Sequence, residues 1–434
     1  MHVLIILPDY YPKQNPRVYR WQAIAEHWAM FGWEVSVLCG KRAEQPRQQT
    51  LNGVEVFRAG HANMLDWLND LTRAKSRRRE VSGEIIPAQK TAPCLRILDW
   101  LHKIWAAIYW PDGSCIWVFP ARRKAKVIGI SAQPDVIVSV SLPFSSHLVG
   151  RYCKKRWPSA KWIIDTGDPF SIPESSQRNN LLLYRRLNKM AERRLFLSAD
   201  AVCVTVDAAK EAYVKCFPEV KSKIQVIPPL CVAGSRNLCL EPLTLDKSKI
   251  HLAYFGSFYT GIRPPIAALE LLGNLGPVAP GFGDTIHLHF IGFFETEFHQ
   301  MFQQHEGYNH SVFVHGMVPQ PAVFSYMQQF DFLLNIGNRT TCQLPSKCMD
   351  YLRSGKPIVN ICLRQEDTFA AFFKGYPAIC NLLYGENGFE KGDLLELVDF
   401  LKRESGKRVG REWITKQMGA FSVASVAGKY EKLF

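Results

Sequence analysis

No apolar run in this sequence reaches the roughly 18 residues that a membrane-spanning helix needs, so no helix is expected to cross a bilayer. The opening Met1-His2-Val3-Leu4-Ile5-Ile6-Leu7 has neither a charged leader nor a long apolar core and does not read as an export signal. The twelve cysteines form no CxxC pair and are scattered from Cys39 to Cys380. That spacing points away from a disulfide framework and toward reduced thiols in the cytoplasm. Also missing are GxxxxGK[ST], a GxGxxG after the first apolar run, and HExxH, the usual marks of phosphate loops, dinucleotide folds and zinc hydrolases. His299, His305 and His310 crowd one stretch without an acidic or thiol partner at ligand spacing. His287 and His289 share a strand face without a further ligand, so no metal site is expected from either group.

What is present is a folded, basic chain. Its 434 residues are 47% hydrophobic and 21% charged, the balance of a globular protein long enough for two or three domains. A formal charge of +14 calls for an anionic partner: nucleic acid, a phosphorylated substrate or acidic lipid. The basic residues form no aromatic-interleaved recognition motif, so nucleic acid is not expected.

Hydrophobic periodicity gives the organisation. The run His2 to Leu7 reads as a strand covered on both faces. Arg17 to Phe31 places Trp21, Ile24, Ala25, Trp28 and Phe31 on one helical face, Gly32 stops that helix, and 34–39 is a second strand. Strands follow at 134–140, 162–165, 201–205 and 224–229, then an irregular linker over 229–248. A second series of strands occupies 251–256, 287–291, 312–314, 331–335 and 357–361, with helices expected at 265–274, 320–329 and 345–354. The segment from Arg411 to Leu433 reads as a helix. The fold class is therefore α/β, with two Rossmann-like doubly wound domains, 1–228 and 249–410, facing across a cleft.

Region 61–130 departs from this alternation. It carries twelve Lys/Arg against six Asp/Glu, including Arg77-Arg78-Arg79 and Arg122-Arg123-Lys124. Trp100, Leu101, Ile104, Trp105, Ile108 and Tyr109 form an aromatic stripe at helical spacing. Rings beside basic residues suit an anionic membrane interface. The plainer reading is a helix packed into its own domain beside a solvated basic run.

Three constellations carry chemistry. In Tyr254-Phe255-Gly256-Ser257 and onward to Arg263-Pro264-Pro265, a strand enters a Gly-flanked loop, where backbone N–H groups and Arg263 can meet a phosphate. In Pro345-Ser346-Lys347-Cys348-Met349-Asp350, Pro345 is expected to open a helix with Lys347 in its first turn and Asp350 on the same face. A cation for a diphosphate beside a carboxylate for ribose would grip a nucleotide; a surface ion pair is the alternative. In the first half, Ser141 to His147 and Asp165-Thr166-Gly167-Asp168-Pro169 each follow a strand. There His147 can contact a sugar hydroxyl or leaving phosphate, and Asp165 and Asp168 can orient an acceptor hydroxyl and take its proton.

The segment Pro345-Ser346-Lys347, Asp350-Tyr351-Leu352, Ser354-Gly355-Lys356-Pro357 resembles the donor-binding segment of GT-B fold glycosyltransferases close to family 4, in the branch reading PSK…EYL…SGKP. The stretch Tyr254–Pro265 is similar to their first C-terminal strand and phosphate loop, and 312–335, with Val318, to the segment backing the nucleotide base. The first-half stretches resemble the SxPPxSSH and DxRDPW patterns of the same branch.

This resemblance implies a glycosyltransferase taking a nucleotide-diphosphate sugar as substrate, with no cofactor or metal and with retention. Gly256, Ser257, Arg263, Val318, Ser346, Lys347 and Asp350 would hold the donor, Arg17 would stand at the N-terminal loop, and 411–434 would cross back to the N-terminal domain. A saccharide or lipid-linked saccharide of surface polysaccharide synthesis would be the acceptor, met in the cytoplasm or on the inner face of the membrane through 61–130. Two departures stand out. Cys342 occupies the first of two carboxylate positions eight residues apart, with Asp350 in the second, and Lys13-Gln14-Asn15-Pro16 replaces paired glycines. The competing readings are a sugar-nucleotide epimerase or hydrolase on the same fold, and a non-catalytic protein bound to the membrane surface.

Overall fold

Short β-branched runs alternate with amphipathic helices along this chain, and the computed structural model pairs those runs into two separate, mainly parallel sheets. The structure describes residues 1–434 except 14, 42–44, 65–103, 173–178, 232–241 and 260. Arg77–Arg79, Trp100, Leu101 and the middle of the expected linker fall outside the described residues. One unit comprises Met1–Pro228 with Val426–Phe434, and the other Pro229–Ser425.

The first sheet contains β1 (His2–Ile6), β2 (Glu34–Lys41), β3 (Gln48–Leu51), β4 (Val54–His61), β5 (Val136–Ser141), β6 (Lys161–Thr166), β7 (Ala201–Val204) and β8 (Ile224–Val226). Its order is β3-β4-β2-β1-β5-β6-β7-β8, parallel except for the β3–β4 hairpin. Helices cover both faces, so every residue of β1 is buried. Helix Pro16–Met30 is capped by the Asn15 side chain, which accepts from Val18 N–H at 2.9 Å, and buries Trp21, Ile24, Ala25 and Trp28. Phe31 is 66% exposed, contrary to the periodic reading, because the helix stops at Met30.

The expected C-terminal helix is two, Arg411–Gly419 and Val423–Glu431, divided by a turn. The last of them brings Tyr430 into the core of the first unit, and there Trp28 Nε1–H donates to Glu431 at 2.9 Å.

The second sheet contains β9 (Ile250–Phe255), β10 (Ile286–Ile291), β11 (Val312–Gly316), β12 (Phe332–Ile336), β13 (Ile358–Cys362), β14 (Ile379–Gly385) and β15 (Gly388–Phe389). The order β11-β10-β9-β12-β13-β14-β15 is parallel apart from β14–β15. Strand order thus reverses between β1 and β5 in one unit and between β9 and β12 in the other. At such a reversal the loops leaving the strands' carboxyl ends diverge and leave a crevice for ligand. No helix among the described residues is long and apolar enough to cross a membrane.

Candidate functional site

In the second unit the loops at the reversal are those leaving β9 and β12. Glycines strip the strand ends bare: Gly256 has φ 138°, and a Cβ on Gly292 would lie 2.0 Å from the Gly256 carbonyl oxygen. Gly256 N–H donates to Ile291 and Gly292 N–H to Gly316, so three neighbouring strands end on glycine backbone. From the β9 loop Arg263 turns back under the sheet end, where its Nη1 donates to Tyr254 Oη at 3.2 Å. Tyr254 in turn donates to the Ser257 carbonyl at 3.0 Å. From the β12 loop Lys347 places Nζ 3.7 Å from the Tyr254 ring centroid and 5.5 Å from that of Tyr351. Arg339 N–H donates to Ile262 at 2.9 Å and joins the two loops.

Both cations are 9% exposed, and Lys347 Nζ and Arg263 Nε are buried without a hydrogen-bond partner. Burial, then the charge of Arg263, holds the Lys347 ammonium well below the usual lysine range. Lys347 on the Tyr254 face and Arg263 at its hydroxyl each keep a donor unspent, an arrangement that an anion would relieve.

Other expected donor residues are placed differently. The helix begins at Cys348 rather than Pro345, because Pro345 and Ser346 form a turn in which Cys348 N–H donates to the Pro345 carbonyl. Lys347 therefore stands just ahead of helix Cys348–Ser354 and not in its first turn. Burial raises the Asp350 carboxyl, and the charge that opposes this is Arg353, not Lys347. The carboxylate that acts on both Lys347 and Arg263 is Asp367, absent from the sequence reading. It is 5% exposed, caps helix Thr368–Phe372 by accepting from Ala370 N–H at 2.7 Å, and accepts from Asn360 at 3.3 Å. An Asp before a short helix is a readable cap signal, but its direction is not. Ser257 and Val318 are half-buried, Ser346 is exposed, and Cys342 is buried beside Thr341.

In the first unit the reversal lies beside β5. His147, in helix Ser145–Arg156, is 1% exposed, and its Nδ1 lies 2.8 Å from Ser139 Oγ. Trp162 Nε1–H donates to the same oxygen at 2.9 Å, so Ser139 ties the imidazole to the strand face. Nε2 is buried without a partner. Burial pushes the imidazole down to about 3, with Asp165 opposing and Arg17 reinforcing. The helix is anchored by Asp112, which accepts from Ser145 N–H at 3.0 Å and Ser145 Oγ–H at 2.7 Å. No signal in the sequence pointed to Asp112.

Asp165 ends β6 with both oxygens taken. Oδ2 accepts from Arg17 at 3.0 Å and Trp21 at 2.8 Å, and Oδ1 accepts from Tyr430 at 2.8 Å. At 2% exposed, with three donors, it is an orienting hub rather than a carboxylate open to an acceptor's proton. Asp168 is half-buried, and its carbonyl accepts from Thr166 at 3.2 Å. A Cβ on Gly167 would lie 1.2 Å from Arg17 Nη2, so the glycine is what lets Arg17 reach Asp165. His147, Asp165 and Arg17 are thus brought together, the latter two acting electrostatically on the imidazole.

Residues 18–229 match the family described as glycosyl transferase 4-like domain. The chain has the GT-B fold, and its residues 18–229 carry that glycosyltransferase domain. A glycosyltransferase from Rickettsia africae superposes with a TM-score of 0.56 at 10% identity, covering 100% of this chain and 97% of its own. The α,α-trehalose-phosphate synthase (UDP-forming) of Burkholderia vietnamiensis gives 0.59 at 11%, covering 100% and 99%. WaaG, a glycosyltransferase involved in lipopolysaccharide biosynthesis, gives 0.52 at 11%, covering 99% and 98%. At these identities the likeness to solved structures is one of fold. No curated protein matches the sequence.

Proposed function

We propose that this glycosyltransferase moves a sugar from a nucleotide-diphosphate donor to an acceptor hydroxyl, with retention and without a metal at the reacting carbon. The observation that carries the reading is the buried, partnerless Lys347 ammonium beside Arg263 at the β9/β12 reversal. Negative charge gathers on the leaving diphosphate as the glycosidic bond loosens. Fixed cations already aimed at that position stabilise the transition state without reorganising. UDP-forming is said of the Burkholderia synthase; a nucleoside diphosphate leaving group is the same chemistry. His147 offers Nε2 to a sugar or acceptor hydroxyl, its Nδ1 held by Ser139, while Asp165 fixes Arg17 at the edge of that site. Asp168 is the carboxylate assigned to the acceptor's proton. Asp350 and Ser346 remain the ribose-side assignments, with Val318 against the base.

The acceptor reading is a lipid-linked saccharide of surface polysaccharide assembly, met at the cytoplasmic face of a membrane. Helix Val118–Ser131 supports it. Ala121, Ala125 and Ile128 face the domain, whereas Phe119, Val127 and Ile130 are 68%, 52% and 71% exposed on one outer arc with Arg123 and Lys126. Apolar side chains interleaved with cations match an anionic bilayer surface. An apolar pocket of about 400 Å³, lined by His61, Met64, Trp105, Ile116 and Pro120, lies in the same region.

The test is a thermal-shift and calorimetric screen of UDP, GDP and their sugars, repeated with Lys347→Ala and Arg263→Ala. A nucleotide sugar should raise the melting temperature of the unmodified protein and fail to do so in both variants. If none raises it, the donor assignment is lost.

A further inference from the structure

We propose that His251, His287 and His289 form a binding site for one divalent transition ion of the zinc type, a site of structural character remote from the donor pocket. In the sequence His287 and His289 lack a third ligand, and the fold supplies it. His251 of β9 pairs in register with His287 of β10, and His289, two residues on, lies on the same sheet face. One ring nitrogen from each imidazole lies within 4.8 Å of the other two. Three nitrogens on a tetrahedral ion at about 2.0–2.1 Å stand roughly 3.4 Å apart. His251 Nδ1 and His289 Nε2 are already 2.9 Å apart, so rotation of the half-buried His287 ring is the main adjustment.

The outer nitrogens are held as ligating histidines usually are. His251 Nε2–H donates to the Asp246 carbonyl at 2.9 Å, an acceptor that fixes the tautomer and turns the Nδ1 lone pair inward. Without an ion, His289 Nε2–H donates to that lone pair, and His289 Nδ1 accepts from His315 Nε2–H at 2.9 Å. With an ion, the His289 proton moves to Nδ1 and donates outward to His315, whose own proton moves to Nδ1. Every imidazole stays neutral and no proton is lost. The Asp246 carboxylate, whose charge acts on His287, or water completes the coordination. His251 precedes Gly256 by five residues of β9, about 16 Å along the strand. The ion would therefore brace the amino ends of β9 and β10 and take no part in transfer.

The experiment uses the full chain, stripped with chelator and titrated with Zn²⁺, Co²⁺ and Mg²⁺ by calorimetry, with melting temperature as a second readout. Zn²⁺ and Co²⁺ should bind at one equivalent and raise the melting temperature, Mg²⁺ should do neither, and affinity for a nucleoside diphosphate should not change. His287→Gln, at a half-exposed ring, should weaken Zn²⁺ binding at least tenfold, while His299→Gln should leave it intact. The Co²⁺ absorption spectrum of the unmodified protein should show tetrahedral bands without a thiolate charge-transfer band, a readout that requires no variant to fold. Absence of stoichiometric binding, a thiolate band, or a His287→Gln variant that binds as tightly as the unmodified protein would each overturn the site.

Discussion

Replacing Lys347 by methionine should move stability and ligand affinity in opposite directions. The side chain keeps its length and apolar stem but loses an ammonium that is buried, has no hydrogen-bond partner, and feels the charge of Arg263. A buried charge without a hydrogen-bond partner costs several kcal/mol, which the Asp367 carboxylate offsets only in part. Its position 3.7 Å from the Tyr254 ring centroid returns about 2 kcal/mol. The balance leaves Lys347→Met about 1–2 kcal/mol more stable than the unmodified protein, a rise of roughly 2–8 °C in the melting transition of the unit that holds it. Affinity for a nucleoside diphosphate should fall by about 1.5–3 kcal/mol, or roughly 10- to 150-fold, because a charge-assisted contact is gone.

Proton linkage gives an independent check on the same residue. The folded-state pKa of Lys347 is lowered below its ordinary 10.5, so across that interval the unfolded chain binds a proton that the native protein does not. Stability should therefore rise with pH through the interval, and Lys347→Met should remove that slope. A bound diphosphate restores the ammonium, so binding in the interval takes up a proton, measurable by calorimetry in buffers of different ionisation enthalpy. A methionine variant that melts lower and binds nucleoside diphosphate equally well would refute the reasoning.

The remaining predictions concern the first unit. Gly167→Ala should unseat Arg17, whose Nη2 would lie 1.2 Å from the new methyl, and cost about 1–3 kcal/mol in urea unfolding together with a loss of transfer activity. Asp165→Ala strands three donors and should cost about 3–5 kcal/mol, whereas Tyr430→Phe, which removes one of them, should cost about 1–2. His147 titrates at about 3 when folded against 6.5 when unfolded, so stability should fall as pH drops through that window and stay flat above it. His147→Gln should reduce the slope by up to one proton, about 1.4 kcal/mol per pH unit. Phe119→Ser with Ile130→Ser should abolish cosedimentation with anionic vesicles at any salt. Arg123→Glu with Lys126→Glu should cost at least about 30-fold at low salt and much less at high salt; equal binding to neutral and anionic vesicles would remove the electrostatic part.

Most of the scaffold was legible because buried parallel strands announce themselves as apolar runs. The runs at β1, β5, β9 and β12 are all readable as strands, whereas their order in the sheet, and so the two reversals, comes only from the structure. The β3–β4 hairpin was missed although Asn52-Gly53, with φ 48° and 83°, is the usual residue pair for a tight hairpin turn. Its strand β3 alternates exposed and half-buried positions, so it lacks the run that marked the others. Strands β14 and β15 escaped for a related reason, since β14 is interrupted by exposed Asn381 and lies near the sheet edge. Helix starts were less readable still: Pro345 is a valid opening residue, but the chain turns once more before Cys348.

At the sites, residue type was legible and partnership was not. Arg263 and Lys347 lie 84 positions apart, and nothing in either segment says that both will meet on Tyr254. Asp165 shows the reverse case: a carboxylate beside a second carboxylate after a strand reads as open to an acceptor, and its surroundings supply three donors from residues 17, 21 and 430. The distinction is one of satisfaction. A buried polar group whose hydrogen bonds are all made contributes to folding, and one left open at a reversal of strand order is costly unless something else completes it. Among the assigned site residues Lys347 Nζ, Arg263 Nε and His147 Nε2 are buried and open, and all three stand where ligand loops leave a doubly wound sheet. That coincidence, rather than the presence of basic residues in a chain already carrying +14, is the reason to place donor and acceptor there.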